Sequence, residues 1–381
     1  MKLSVLLPTR NRLDLLKLAI ESVRMQDYSD WEIIVSDNAS DDDIGAYIKS
    51  LEDPRIHCRR FEQLVPVTDN WNAALELATG EYVIMLGDDD ALVPCGLSQV
   101  RALAQSQPDA IYAQAMQYAY PDVIPEHPQP FLQTGINVFL EGRKEAFDLA
   151  RAEALELVRA AMGFRILYGF NMQHFAVSRR LVEKLRDKGP FFQSPYPDYY
   201  AANAVLLAAE TLRVSPRPFA LIGISPKSFG FYYFNKREDD GVAFLKNLAD
   251  PDIAMRLRGE IVPGSNMNDS WLCSMQTLAR NFPTVVGSQV NFARYRRLQH
   301  HRLLKAGRYG ALLRCLRLWE YPLYGAATLA IGFSYVLTSR FGAGLRRRMI
   351  DALFSPAPRF DPRRVAVPYR DILEAARAES T

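Results

Sequence analysis

Short apolar runs alternate with amphipathic stretches over the first 115 residues of the chain. The runs have the length and composition of strands buried on both faces. The stretches between them place apolar residues three or four positions apart, the spacing of a helix with one buried face. Strands that alternate with helices predict βαβ units and a mostly parallel sheet flanked by helices. The predicted strands are Leu3–Leu7, Trp31–Val35, Arg55–Phe61, Tyr82–Leu86 and Ala110–Ala115, and the predicted helices are Arg12–Gln26, Asp43–Leu51, Asp69–Ala78 and Pro94–Gln107.

Three polar loops follow predicted strands, at Thr9–Asn11, Asp37–Ser40 and Asp88–Asp90. Right-handed connections place the carboxyl ends of parallel strands at one edge of the sheet, where open α/β folds bind ligands. The consecutive carboxylates of Asp88–Asp90 repel one another, and a hard cation with oxygen ligands relieves that repulsion. The alternative is a turn with an acidic N-cap for the helix that begins near Pro94.

The region from Gly135 to Pro226 mixes helical patterns with short strands. In it, Asp198 stands just before the apolar helix Ala201–Ala209, so it is either an N-cap or a functional carboxylate. The aromatic stretch Phe229–Phe234 is either a buried strand or a wall on which a sugar stacks.

The C-terminal region is basic, since residues 290–381 hold 17 Lys and Arg against 6 Asp and Glu. Tyr321–Ser339 contains no charged side chain over 19 residues. A spanning helix needs roughly 20 apolar residues, and the prolines and glycines here favour an interfacial or re-entrant helix. A buried core or dimer helix is the alternative. The positive charge predicts contact with a polyanion or an anionic membrane. A nucleic acid partner is not expected.

Composition limits the class of protein. A hydrophobic content of 49% and a charged content of 23% exclude a mainly disordered chain, and 381 residues allow two or three domains. The four cysteines form no Cys-x-x-Cys pair and no signal peptide pattern begins the sequence, which predicts a cytoplasmic, reducing location. The basic C-terminal region adds the expectation of a peripheral position on the inner face of the cell membrane. The absence of P-loop, Gly-x-Gly-x-x-Gly and Gly-x-Ser-x-Gly patterns disfavours dinucleotide oxidoreductases and serine hydrolases.

Four ordered motifs resemble those of family 2 glycosyltransferases, which have the GT-A fold. The motifs are Val5–Arg12, Ile33–Asp42, Asn72–Tyr82 and Asp88–Asp90. The resemblance implies a Rossmann-like, mostly parallel sheet with a helical C-terminal extension, a nucleotide-diphospho-sugar donor, favouring UDP, and Mg²⁺ or Mn²⁺. It divides the chain into a donor half (1–117), an acceptor half of the same domain (118–230), an irregular extension (231–289) and the basic region (290–381).

The resemblance also implies roles for individual residues. Asp198 resembles the acceptor-side aspartate of the family and would be the general base, with inversion at the anomeric carbon if it lies across the crevice from the metal. Asp89 or Asp90 would coordinate the metal. The sequence departs from the family at Ser36, where a second acid often stands. Residues expected to line the nucleotide-sugar pocket are Pro8, Thr9, Arg10, Asn11, Asp37, Asn72, Asp88 and Asp89.

The predicted activity is transfer of a sugar to a hydroxyl of a glycan or a lipid-linked acceptor, in polysaccharide or glycolipid biosynthesis, by an enzyme able to form a homodimer. Two alternatives remain open. A nucleotidyltransferase would need a glycine-rich phosphate loop after the first strand, where Pro8–Arg12 stands. A non-catalytic sugar-nucleotide or glycan-binding scaffold would be expected to lack the metal carboxylates.

Overall fold

The computed structural model describes residues 1–114, 116–125, 128–134, 140, 142–235, 260–286, 290–324 and 363–378. An eight-stranded sheet with the order β3-β2-β1-β4-β10-β6-β11-β9 forms the centre of the fold. Its strands are β1 (Leu3–Thr9), β2 (Trp31–Asp37), β3 (Ile56–Arg60), β4 (Tyr82–Met85), β6 (Ala110–Ala113), β9 (Phe147–Leu149), β10 (Phe175–Ser178) and β11 (Leu212–Ser215).

The first four strands in sequence are parallel neighbours, as the alternation of apolar runs predicts. Strand β10 enters the sheet antiparallel between β4 and β6. The predicted α/β class is therefore confirmed, with strands from both halves of the sequence in one sheet. In particular, β9, β10 and β11 come from beyond residue 117.

A second sheet has five strands in the order β13-β8-β7-β12-β5. Strand β12 pairs parallel with β7 and antiparallel with β5, which directly follows the acidic loop 88–90. Strand β13 comes from the predicted basic C-terminal region and pairs with β8. The strands are β5 (Ala91–Leu92), β7 (Gln117–Ala119), β8 (Phe131–Thr134), β12 (Ala220–Ile224) and β13 (Arg363–Ala366).

Helices cover both faces of the main sheet, because side chains on each buried strand point alternately to the two sides. Leu3, Val5 and Leu7 of β1 lie in one apolar cluster and Leu6 lies in the other. The helices are α1 (Leu13–Arg24), α2 (Ile44–Ser50), α3 (Val67–Leu77), α4 (Gly96–Leu103), α5 (Arg151–Met162), α6 (Arg179–Leu185), α7 (Pro197–Ala208), α8 (Phe229–Phe234), α9 (Asn266–Asn281), α10 (Pro283–Val286), α11 (Phe292–Lys305), α12 (Tyr309–Cys315) and α13 (Ile372–Ala378).

The C-terminal helices pack on the earlier part of the fold. Trp271 of α9 lies 4.9 Å, ring to ring, from Tyr199 of α7, and its Nε1 donates to the carbonyl of Ala161. Helix α13 packs into the apolar cluster of the second sheet. Within the described part of the chain, every helix is too short or too polar to cross a bilayer. The segment predicted at Tyr321–Ser339 lies outside the described residues from 325 onward.

Two sequence expectations need correction. The stretch Phe229–Phe234 is a short helix, so the expected buried strand is wrong. Helix α4 begins at Gly96 with Cys95 as its N-cap, in a left-handed conformation (φ +61°), so the acidic loop 88–90 does not cap it. The side chains of that loop instead accept hydrogen bonds from other parts of the chain.

Candidate functional site

The three polar loops meet at the carboxyl edge of the main sheet. Thr9 is paired with Asp37 at the ends of β1 and β2. The Thr9 hydroxyl donates to Asp88 Oδ2 over 2.8 Å, and the Asn38 amide donates to the Thr9 carbonyl. All of these side chains are buried, so the expected convergence of strand-end loops is present in the structure.

Asp88 is held by two donors from the first loop. Its Oδ1 accepts from Arg12 over 2.9 Å, and Arg12 also donates to the carbonyl of Lys227, which follows β12. Burial alone would lower the pKa of Arg12, but the carboxylates of Asp88, Asp89 and Asp90 outweigh it and raise that pKa. The Arg12 guanidinium is therefore a fixed cation beside three carboxylates.

Asp90 accepts three hydrogen bonds from other groups of the protein. Its Oδ2 accepts from the Gly87 amide (2.6 Å) and from Gln173 Nε2 (2.9 Å), and its Oδ1 accepts from the Gly223 amide (2.8 Å). Burial, followed by the neighbouring Asp89 carboxylate, raises the pKa of Asp90 well above its usual range. These contacts describe a carboxyl group that fastens β12 to the acidic loop.

Asp89 keeps more spare acceptor capacity than Asp90. Its Oδ2 accepts from Ser225 Oγ over 2.9 Å, and its side chain also accepts from its own backbone amide. A carboxylate offers about four lone-pair sites. The backbone of β12 approaches this loop closely: a Cβ on Gly223 would lie 1.7 Å from the Asp89 carbonyl oxygen, so only glycine fits there.

Oxygen atoms suited to a hard cation are present beside this loop. Gln173 Oε1 is buried without a hydrogen-bond partner, while the other end of that amide donates to Asp90. An unpaired buried carbonyl oxygen is costly unless a ligand satisfies it. No three His, Cys, Asp or Glu side chains among the described residues form a ready-made metal site, so an ion here would take further ligands from substrate or water.

The other residues expected at the nucleotide differ in exposure and in their hydrogen bonds. Pro8 is buried in β1, and Arg10 is exposed. Asp37 accepts from the Ser40 amide through Oδ1 and from the half-exposed Arg60 through Oδ2. Arg60 thereby places a cation at the rim of the candidate nucleotide pocket.

Two asparagine amides are committed to protein contacts. Asn11 (φ +54°) exchanges hydrogen bonds with Asp41, donating to its carboxylate and accepting from its backbone amide. Asn72 donates to the Phe192 carbonyl over 2.9 Å and accepts from the Phe192 amide over 3.0 Å. Asn72 therefore holds the segment that leads into α7, a different use from the expected contact with the donor.

Asp198 lies in the first turn of α7, whose N-cap is Tyr196. Its Oδ1 accepts from the backbone amide of Met172 over 2.8 Å, so it is not the N-cap of its own helix. The residue as a whole is partly exposed, while its carboxyl group is buried. Burial of the carboxyl raises the pKa of Asp198 to about 7, and the hydrogen bond from Met172 only partly offsets this.

One short turn joins Asp198 to the acidic loop. Residues 172–174 form a single 3₁₀ turn, in which the Met172 amide binds Asp198 and the Gln173 side chain binds Asp90. The residues that sequence reasoning left out are Arg12, Gln173, Gly223 and Ser225. Arg12 lies within a recognised motif, but the other three come from distant parts of the chain and carry no local signal.

Residues 4–167 match the family model described as glycosyl transferase family 2. This part of the chain belongs to that family. The match confirms the resemblance carried by the four motifs. The match extends past the acidic loop to residue 167 and ends before Gln173, Asp198 and Gly223.

Two curated relatives match about a quarter of the chain. The GalNAc(5)-diNAcBac-PP-undecaprenol beta-1,3-glucosyltransferase of Campylobacter jejuni is 43% identical over 102 residues, covering 26% of this chain and 32% of the relative. The UDP-Glc:alpha-D-GlcNAc-diphosphoundecaprenol beta-1,3-glucosyltransferase WfaP of Escherichia coli is 32% identical over 95 residues, covering 25% of this chain and 38% of the relative. The matched part of the chain thus spans about a third of the length of these relatives.

Similarity to a solved structure extends over nearly the whole chain. The crystal structure of S. aureus TarS 1–349 in complex with UDP-GlcNAc superposes with a TM-score of 0.50 at 14% identity, covering 93% of this chain and 84% of TarS 1–349. At that identity the likeness concerns the fold, and it confirms the expected GT-A fold.

Proposed function

We propose that this protein is an inverting glycosyltransferase that moves a sugar from a nucleotide-diphosphate donor, favouring UDP, to a hydroxyl of a glycan or lipid-linked acceptor. One observation carries the proposal: a buried carboxyl with a raised pKa, Asp198, lies one 3₁₀ turn away from the acidic loop 88–90. The names of both curated relatives describe glucosyl transfer to an undecaprenol-linked acceptor, and one of them names UDP-Glc.

The first three loops form the proposed donor side. Thr9 and Asp37 lie at adjacent strand ends, and the cations Arg10 and Arg60 flank them at the surface. Asp88, oriented by Thr9 and Arg12, would accept from a ribose or sugar hydroxyl. Asn11 and Asn72 support this pocket indirectly, by fixing the loops around it.

Asp89, with Gln173 Oε1 beside the same loop, is our choice to hold the divalent ion, Mg²⁺ or Mn²⁺. Such an ion neutralises the charge that develops on the departing diphosphate. Asp90 is the weaker candidate of the two, because three N–H groups of the protein already occupy its oxygens. A divalent ion at Asp89 would also offset the repulsion among the three carboxylates.

Asp198 acts as the general base in this proposal. A base with a pKa near 7 is partly ionised at neutral pH and accepts a proton readily from the attacking hydroxyl as the new bond forms. The backbone amide of Met172 orients the carboxylate by occupying Oδ1, which leaves Oδ2 for the acceptor. Attack from the side of Asp198, opposite the diphosphate, inverts the anomeric carbon.

A direct assay separates this function from the two alternatives. The chain is incubated with UDP-, GDP- and dTDP-sugars and Mn²⁺, and release of the nucleoside diphosphate is followed with and without undecaprenyl-linked or soluble glycan acceptors. An acceptor-stimulated release of UDP supports the proposal. Release of pyrophosphate would identify a nucleotidyltransferase, and binding of a donor with no release under any condition would identify a scaffold.

The proposal also includes homodimer formation and peripheral attachment of residues 290–381 to the inner face of the cell membrane.

A further inference from the structure

Large apolar side chains are exposed together between Leu313 and Leu323. Leu318 is 90% exposed, Trp319 is 67% exposed and Leu323 is 60% exposed, with Leu313 and Tyr321 partly exposed beside them. Elsewhere among the described residues, the exposed large apolar side chains stand singly or are less exposed. A continuous group of this kind marks an interaction surface. We call residues 313–323 the apolar patch.

The patch is not part of an unfinished core. Leu312, Leu316 and Tyr324 of the same segment point inward and pack against Leu303 and Leu304 of α11. The core positions of this segment are therefore filled, and the exposed residues form a second, outward face. Burying that face against another surface would remove several large apolar side chains from water.

A buried ion pair holds the outward face in place. Arg296 donates to both oxygens of Glu320, over 3.1 Å and 2.7 Å, and also to the carbonyl of Cys315. Tyr321 donates to the carbonyl of Leu313 across the patch. These contacts fix the turn that carries Leu318 and Trp319, so their exposure is a property of the folded segment.

The charge around the patch is mostly positive. Residues 290–324 contain eight Lys and Arg but a single acid, Glu320, which is buried against Arg296. Arg308 and Arg314 are exposed next to the apolar side chains. Arg317 makes a surface ion pair with Glu260 at 3.1 Å, and exposed pairs of this kind contribute little energy.

We propose that the apolar patch docks on an anionic membrane surface, with Leu318, Trp319 and Leu323 entering the boundary between headgroups and acyl chains. Trp and Tyr favour this boundary, and each Arg near an anionic leaflet adds attraction. A second copy of the chain is the poorer occupant, because a two-fold interface would bring the same basic side chains face to face. The inference rests on the proposed function, for which it supplies the surface that meets a lipid-linked acceptor.

Flotation of the full chain with vesicles tests the proposal. Vesicles of phosphatidylcholine with phosphatidylglycerol are compared with vesicles of phosphatidylcholine alone, at low and high salt. The wild type should float with the anionic vesicles at low salt, and less so at high salt. The double variant Leu318→Ser with Trp319→Ser should lower partitioning at least about tenfold, since both side chains leave water on binding.

A matched variant removes an exposed apolar side chain elsewhere: Leu77→Ser, on α3, where Leu77 is 43% exposed. It should float like the wild type. The proposal is overturned if the wild type stays at the bottom of the gradient, or if the double variant floats as well as Leu77→Ser. It is also overturned if the wild type is a dimer in solution and the double variant is a monomer, since the patch would then bind a second copy.

Failure of this inference can be told apart from failure of the proposed function. The double variant changes side chains far along the chain from the acidic loop and from Asp198, so its release of UDP with a soluble acceptor should equal that of the wild type. A chain that floats but never transfers sugar would keep the membrane surface and lose the function. A chain that transfers sugar but does not float would support the proposed function and refute the membrane surface.

Discussion

Replacing Asp198 by Asn tests the base assignment with the smallest change of shape. Asn keeps a carbonyl oxygen that accepts the 2.8 Å hydrogen bond from the Met172 amide, so α7 and the 172–174 turn should stay in place. The variant removes the group that takes the proton. A general base contributes about 10²–10⁴-fold to a rate. We therefore expect kcat to fall by such a factor while the donor Kd stays unchanged in calorimetry.

The pH dependence gives a second readout of the same group. Because the pKa of Asp198 is about 7, the ionised base is lost as the pH falls below 7. The wild-type kcat/KM should then decrease by about tenfold per pH unit and level off above neutrality. The residual activity of Asp198→Asn should lack this dependence.

Stability should change in the opposite direction to activity. The folded chain holds the Asp198 proton up to a pH of about 7, whereas the unfolded chain releases it near 3.8. This carboxyl therefore favours folding at low pH, and its contribution is lost as the pH rises from about 4 to about 7. At pH 8 the melting temperature of Asp198→Asn should be no lower than that of the wild type.

The control for the activity measurements is Asp148→Asn, at an exposed ion pair with Arg213, which should leave transfer unchanged. Transfer by Asp198→Asn within a few-fold of wild type, with the same pH profile, would refute the assignment.

Three further variants test the surroundings of the site. Asp89→Asn should abolish the Mn²⁺ dependence of donor binding, whereas Asp90→Asn should retain that dependence and lower the melting temperature. Donor binding is measured by calorimetry with and without Mn²⁺. If Asp90→Asn abolishes the dependence and Asp89→Asn retains it, the ion is bound by Asp90. Asn72→Ala removes two hydrogen bonds to Phe192, each worth about 0.5–1.5 kcal/mol, and should lower kcat more than it changes the donor KM. An unchanged kcat would contradict a positioning role. Gly223→Ala should destabilise the fold by about 1–3 kcal/mol in denaturant unfolding, since its Cβ meets the Asp89 carbonyl, and an unaltered midpoint would show that this approach is looser than described.

Local pattern was sufficient for the first part of the sheet. Strands β1 to β4 are apolar enough for their alternation with helices to predict both their approximate positions and their parallel direction. Strand β10 has four residues, like β4, but it pairs antiparallel with strands about 65 and 90 residues earlier in the chain. Its place in the sheet depends on tertiary packing, which no local period encodes.

The division of roles within the acidic loop could not be derived from three identical residues. Asp89 and Asp90 have the same chemistry, and they differ because β12 brings the Gly223 amide to one and the Ser225 hydroxyl to the other. The contact made by Asn72 could not be predicted either, since its partner Phe192 lies 120 residues further along the chain. Asp198 could be singled out by its setting, but its partner Met172 could not.

The close approach of Gly223 to the Asp89 carbonyl has a consequence for how this enzyme could be dissected. A fragment that ends where the family match ends, at residue 167, would carry all three aspartates but none of the groups that clamp Asp89 and Asp90 from outside their own loop. Such a fragment would leave the acids of that loop mutually repelling at an unfinished edge. The parts of the chain that would bind donor and acceptor are therefore expected to fold only together. Splitting the chain between them should yield two inactive pieces.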